Sequence, residues 1–314
     1  MSRRLLHERS TWLAAALVAL VVVCALLAQR FLSFEIRDGR LFGALVDVLR
    51  RSAPVALVAL GMTLVIGVGG IDLSVGAVMA IAGVLAGRLL ESGLGDALAL
   101  VLGLGAGAGL GLANGGLVRG LALQPLVATL VLLVGGRGLA QVLADGRIVT
   151  LERGAIVALG RGDFALLPAP VWLVLGLYAG TALLLRRTRA GLWLECSGEN
   201  PRAARICGLP VAAAELAAYA ACGLCAALAG LVATGDLQAA DADQLGLYVE
   251  LDAILAVVLG GTALTGGRMR PFGTLLGVLI VQTLATALLM LDVSKEAGLV
   301  LKGCLVLALC GGRR

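Results

Sequence analysis

Apolar runs of about 20 residues follow one another along almost the whole chain, separated by short breaks that hold most of the charge. A helix needs about 20 such residues to cross roughly 30 Å of hydrocarbon. The runs predict about ten membrane spans, at 11–32, 52–69, 73–90, 96–118, 124–143, 165–185, 211–234, 251–264, 272–291 and 296–311. The eighth is short, and only a glycine-rich break separates the second from the third. Composition excludes the other classes. Of 314 residues, 60% are hydrophobic and 14% charged, whereas soluble domains carry about 25% charged residues. So few charges cannot cover a soluble surface, and so many apolar residues exclude a disordered chain. The expected fold class is all-α: one polytopic membrane domain over 1–314, with discontinuous, glycine-rich helices.

Charge placement predicts orientation, because cytoplasmic loops of membrane proteins concentrate arginine and lysine. The densest cluster is Arg186, Arg187, Arg189, Arg202 and Arg205. Placing it in the cytoplasm puts both termini there too, together with Arg3, Arg4, Arg9, Arg268, Arg270, Arg313 and Arg314. The acidic segment 235–250, with Asp236, Asp241, Asp243 and Glu250, then lies outside. The group Arg37, Arg40, Arg50 and Arg51 runs against the rule, partly balanced by Glu35, Asp38 and Asp47. The run Leu41–Leu49 is amphipathic and is expected to lie along the membrane interface. Arg3, Arg4 and Arg9 before an apolar run imitate a signal peptide, but the run is too long and many more follow, so it reads as an uncleaved first span. The net charge of +5 is a topology signal. No basic patch with interleaved aromatics points to nucleic acid.

Enzymatic chemistry finds no footing. A nucleotide-binding P-loop needs G-x-x-x-x-G-K-[ST]. The only lysines are Lys295, between Ser294 and Glu296, and Lys302, between Leu301 and Gly303. The single histidine, His7, precedes the first span and serves no H-E-x-x-H motif or serine. Cys222 and Cys225 form a C-x-x-C inside an apolar run with no second pair, so they read as packing residues and no metal site is expected.

Three segments stand out. In Gly69-Gly70-Ile71-Asp72-Leu73-Ser74-Val75-Gly76, two glycines interrupt an apolar run and a carboxylate follows. A carboxylate at the bilayer centre costs about 2.5–3.5 kcal/mol on insertion scales, so it needs a partner, a cavity or an interfacial position. The segment reads either as a broken helix lining a pathway or as a cytoplasmic turn capped by a solvated Asp72. It aligns faintly with Gly260-Gly261-Thr262-Ala263-Leu264-Thr265-Gly266-Gly267, which suggests an internal repeat. Second, Asn200 as N-cap, Pro201 in the first turn and Gly208 as stop define a short helix with Arg202 and Arg205 on one face. It reads as a docking element for a soluble partner or as a solvated connector. Third, Arg137 sits late in the fifth span, either snorkelling to the outer interface or making a polar contact in a pathway. Asn114, Thr129 and Gln282 could contact a sugar or hydrogen-bond neighbouring spans.

These motifs together resemble the permease subunit of bacterial ABC importers of the ribose/xylose/galactose type, in the superfamily that includes branched-chain amino acid permeases. The carriers are Gly61–Ile66 leading into Gly69–Gly76, Ala128-Thr129-Leu130 with Arg137-Gly138-Leu139, Gly198–Gly208, and Leu251–Ile254 with Gly260-Gly261-Thr262 and Gly266-Gly267. The resemblance implies a multi-pass protein of the bacterial inner membrane, surrounded by lipid, that passes a monosaccharide by alternating access. Its implied partners are an ABC ATP-binding subunit, a periplasmic sugar-binding protein and a second permease copy, identical or similar. This chain would bind no cofactor, ATP and Mg being held by the partner subunit. Glu199, Asn200, Arg202, Ala203, Ala204, Arg205 and Gly208 would couple to that ATPase. Gly69, Gly70, Asp72, Ser74, Gly76, Gly260, Gly261 and Thr262 would form broken helices of the pathway, with Asn114, Thr129 and Arg137 as polar contacts. Two departures touch the second break: Ala263 stands where the family often has serine, and Met269 and Pro271 interrupt a usually glycine-rich turn. Branched-chain amino acids or nucleosides are alternative cargoes. An ion-driven transporter, with Asp72 as its titrating carboxylate, is the rival mechanism, and a non-transporting scaffold leaves the capped helix and the Gly-Gly breaks unexplained.

Overall fold

A computed structural model describes residues 3–27, 31–37, 40–294, 297–301 and 303–304. The elements run α1 (Arg3–Leu27), β1 (Glu35–Arg37), β2 (Arg40–Phe42), α2 (Ala44–Gly67), α3 (Val75–Glu91), α4 (Asp96–Gly120), α5 (Pro125–Ala144) and β3 (Val149–Thr150). They continue with α6 (Ala155–Arg161), β4 (Asp163–Phe164), β5 (Leu167–Pro168), α7 (Ala169–Arg187), α8 (Arg189–Glu199), α9 (Pro201–Ile206), α10 (Val211–Leu237), β6 (Ala239–Ala240), α11 (Val249–Gly260) and α12 (Pro271–Met290).

The chain is an integral membrane protein in helical form. Every expected span up to 272–291 overlaps a helix, but the count of about ten full spans is not established. Among the described residues, six helices are long and apolar enough to cross a membrane: α2, α4, α5, α7, α10 and α12. The apolar part of α1 is shorter, Thr11–Leu27. Helices α3 and α11 have 17 and 12 residues, because each adjoins a break. At 1.5 Å per residue, α11 reaches only about 18 Å. Most of the expected tenth span, 296–311, and Arg313 and Arg314 lie outside the described residues, as do the side chains of Arg3, Arg4, Arg9, Arg37 and Arg40.

The described residues are mostly helical, as expected, and three short antiparallel two-stranded pairs among them tie connecting loops: β1–β2, β3–β6 and β4–β5. One expectation needs correction: Leu41–Leu49 does not form a separate interfacial element. Residues from Ala44 onward are continuous with α2, which carries Pro54 inside it, so the second span starts eight residues before the expected position 52.

Helix α2 is the most enclosed of the long helices. Around it and α10 the core gathers Leu57, Leu60, Met62, Ile66, Met79 and Tyr178. Among lipid tails the hydrophobic effect does not drive helices together, so close packing and hydrogen bonds must. Helix α4 supplies this through Gly103, Gly107, Gly111 and Gly115, all buried at four-residue spacing. A Cβ on Gly111 would collide with the Tyr219 carbonyl oxygen, and one on Gly107 with Ala227 and Gly223. Those absent side chains let the backbones of α4 and α10 meet.

At the end of the bundle where α2 starts, Arg50 bridges Asp163 at 2.9 Å and Asp236 at 3.6 Å. Arg161 Nε donates to the Asp236 carbonyl at 2.8 Å. The Arg50 charge is thus balanced by Asp163 of β4 and by Asp236 in the last turn of α10.

Candidate translocation and coupling site

At the opposite end, three glycines from distant parts of the chain meet. Gly67 closes α2, Gly198 lies in the last turn of α8, and Gly267 sits between α11 and α12. Gly267 N donates to the Gly67 carbonyl at 2.8 Å. Gly198 is packed so tightly that a Cβ there would overlap the Gly67 carbonyl oxygen and lie 2.6 Å from Gly267 N. A Cβ on Gly266 would lie 2.7 Å from Gly198 O and 3.0 Å from Gly69 N. The Glu195 carboxylate adds a clasp, accepting from Met269 N at 3.2 Å. Backbone against backbone, the arm α8–α9 is fastened to both breaks.

The first break, residues 68–74, follows a helix stop in which Gly70 N donates to Val65 O at 2.9 Å and Gly69 adopts φ +85°. Asp72 then turns inward and is 1% exposed, which removes the solvated-cap alternative. Its Oδ1 accepts from Ser74 N at 2.9 Å, Ser74 Oγ at 2.7 Å and Asn114 Nδ2 at 3.3 Å. Asn114 also donates to Ser74 Oγ at 2.8 Å. Cys222 Sγ lies alongside the carboxylate, and the Tyr219 hydroxyl points at Gly70. Among the described residues, the buried Asn114 Oδ1 and Tyr219 hydroxyl have no hydrogen-bond partner. The cluster thus keeps unused capacity to donate and accept. From their places on α4 and α10, these residues lie roughly two helical turns in from the end of the bundle.

The second break, residues 261–270, is built differently. Gly261, Gly266 and Gly267 adopt φ of +90°, +92° and +99°, a region costly for any residue with a Cβ. Thr262 is buried, and its Oγ1 accepts from Arg270 N at 3.2 Å. The repeat seen in sequence shifts by one residue here. The Thr262 N–Val257 O bond of 3.3 Å matches the Gly70 N–Val65 O bond, so Gly261, not Gly260, is the counterpart of Gly69. Gly260 is still helical. Its missing side chain admits α12, since a Cβ there would collide with Thr274 N. Thr274 and Thr63 join α12 to α2 through a hydroxyl pair at 3.0 Å.

Helix α9 is capped as its sequence suggests. Asn200 Oδ1 accepts from Arg202 N at 3.1 Å and Ala203 N at 3.0 Å, and Gly208 ends it with φ +76°. Ala204 is buried, while Arg202, Ala203, Arg205 and Ile206 are exposed. Ile206 is 87% exposed, the highest value among the exposed large hydrophobic residues. The exposed Glu199 has its carboxylate beside Gly267.

The remaining candidates scatter. Arg137 is partly buried. Its Nη1 donates to Leu245 O at 2.6 Å and Ala242 O at 3.1 Å, holding the acidic segment. Gly76 leaves room for Arg137 and for Glu250, whose Oε2 would lie 2.8 Å from a Cβ at that position. Thr129 is fully buried and donates to Pro125 O on its own helix at 3.0 Å. Gln282 is buried on α12. Among the described residues, no group of three His, Cys, Asp or Glu could hold a metal, and Cys222 and Cys225 are free thiols. In the sequence Gly198 and Gly267 stood out only as parts of longer motifs, and nothing there marked Gly67, Glu195, Tyr219 or Glu250 as members of these sites.

A family model described as branched-chain amino acid transport system / permease component matches residues 44–310. The galactofuranose transporter permease protein of Escherichia coli (strain K12) is 44% identical over 292 residues, covering 93% of this chain and 86% of its own. The ribose import permease protein of Bacillus subtilis (strain 168) is 42% identical over 265 residues, covering 84% and 82%. The fructose import permease protein of Bifidobacterium longum is 34% identical over 316 residues, covering 98% and 88%. No solved structure matches the chain.

Proposed function

The chain belongs to the permease-component family of branched-chain amino acid transport systems, and on that premise we propose that it is the membrane subunit of an ATP-driven monosaccharide importer. The similar proteins named for galactofuranose, ribose and fructose favour a sugar over an amino acid or a nucleoside. ATP is hydrolysed on a separate subunit, and a periplasmic binding protein delivers the sugar. Two permease copies work together in the inner membrane, with the 186–211 loop and both termini facing the cytoplasm.

The observation that carries this reading is the Gly67–Gly198–Gly267 junction. A capped helix exposing Arg202, Arg205 and Ile206 suits a cleft on a soluble ATPase. Because its arm is fastened to both breaks by backbone contacts, a displacement of α9 reaches the ends of α2 and α12 without slack. Close-packed interiors transmit such shifts rather than absorb them. Against the first break stand polar groups a sugar hydroxyl can use, namely the Tyr219 hydroxyl of α10 and Asn114 Oδ1 of α4. The pathway binds its cargo weakly, since a deep site would hold the sugar back.

Arg205→Glu tests the coupling role. In vesicles containing the assembled transporter, uptake should fall at least about tenfold while insertion is unchanged, and ATP hydrolysis should no longer follow the loaded binding protein. Normal coupled uptake in that variant contradicts the assignment.

A further inference from the structure

Beside the junction lies a cavity of about 430 Å³ between α1, α7, α8 and the start of α12. Its cationic residues are Arg186, Arg268 and Arg270. Arg186 stands in the last turn of α7, where the apolar span ends. Among the described residues of the lining, Glu195 is the one acidic side chain, and its Oε1 is already engaged by Met269 N. Among the described residues, neither Arg186 nor Arg268 has an acidic partner within 4 Å. The lining also holds apolar Leu13, Leu185 and Phe272. The first turn of α12 also faces the cavity through Phe272 and Gly273. That 20-residue helix has no side-chain cap at its N-terminus, so its free N–H groups and dipole add to the attraction for an anion.

An anion with a hydrocarbon body fits both sets of side chains at once. We infer that this cavity holds an anionic phospholipid of the adjoining leaflet, its phosphodiester on Arg186 and Arg268 and its acyl chains along Leu13 and Phe272. Basic pockets between membrane helices recognise headgroups in this way. Arg268 and Arg270 end the second break, Pro271–Gly273 open α12, and Glu195 belongs to the coupling arm. A bound headgroup therefore braces that break against the arm. This effect on transport rests on the coupling role proposed above, but the binding itself does not.

The test is native mass spectrometry of the detergent-solubilised transporter offered phosphatidylglycerol or phosphatidylcholine of identical chains. Phosphatidylglycerol should be retained at least fivefold over phosphatidylcholine. Arg186→Gln with Arg268→Gln should abolish the preference, and Leu13→Trp should reduce retention by crowding the apolar lining. An unchanged thermal midpoint for each variant excludes misfolding as the cause. Equal retention of the two lipids, a preference that survives the double arginine change, or full displacement by 10 mM inorganic phosphate overturns the lipid assignment. Each of these results leaves the permease assignment standing, because the readout is binding and not uptake.

Discussion

The two breaks do the same work with different chemistry. Each stops a helix with a positive-φ glycine, Gly69 or Gly261, and each soon starts another. The first fills its turn with a buried carboxylate whose Oδ1 receives three donors. The second spends its positions on Gly266 and Gly267, and keeps one hydroxyl bond, from Arg270 N to Thr262. The difference follows from their neighbours. Residues 68–74 face α4 and α10, so polar groups there can be satisfied by side chains. Residues 266–267 lie against the backbone of Gly198, where any side chain would be in the way. The first break is thus suited to handling a polar cargo, and the second to receiving a push.

That contrast can be broken at its strongest point first. Gly198→Val places side-chain carbon where the Gly67 carbonyl oxygen sits. The Gly67 backbone cannot yield as a side chain could. Overpacking of this kind costs about 1–3 kcal/mol or more. Coupled uptake should fall at least about tenfold, with both breaks affected. Gly67→Ala meets only the flexible Met269 side chain and should be milder. Equal effects in the two variants would refute a rigid backbone junction.

Asp72→Ala comes next. It strands the Ser74 and Asn114 donors in a buried site, at about 1–3 kcal/mol for each unsatisfied group. The thermal midpoint of the solubilised transporter should drop clearly. Asp72→Asn keeps an acceptor and should recover part of the loss. If Asp72→Ala is as stable as the parent, the carboxylate does not organise the first break.

The smallest effect is expected at Thr262→Val, which removes one hydrogen bond worth about 0.5–1.5 kcal/mol. It should lower the midpoint less than Asp72→Ala does. A larger drop would mean that the second break depends on side-chain polarity as much as the first, and the contrast would fail.

Much of this architecture is written locally. Apolar length marks the spans, and Asn200, Pro201 and Gly208 mark α9, because capping and membrane thickness act on contiguous residues. The first break was visible for the same reason, as Gly69, Gly70 and Asp72 are adjacent. The junction was not. It joins residues 67, 198 and 267 by backbone approach, and a missing side chain in a chain of 45 glycines carries no label of its partner. The fate of Arg50 and Arg137 was hidden likewise. Their partners, Asp163 and the carbonyls of Ala242 and Leu245, come from loops whose folding depends on the strand pairs. The one-residue offset between the breaks also escaped alignment, because adjacent glycines cannot be told apart by identity alone.

The central claim is that the coupling arm and the second break move as one body. It is tested most directly by spin-label distances in the assembled transporter, in a background lacking the exposed thiols Cys207 and Cys304. One label pair joins Ile206→Cys on α9 to Thr265→Cys in the second break. The other joins Ile206→Cys to Leu166→Cys at the far end of the bundle. On nucleotide binding, the 206–265 distance should stay constant while the 206–166 distance changes by several ångströms. A 206–265 distance that changes as much as the longer one would contradict the account.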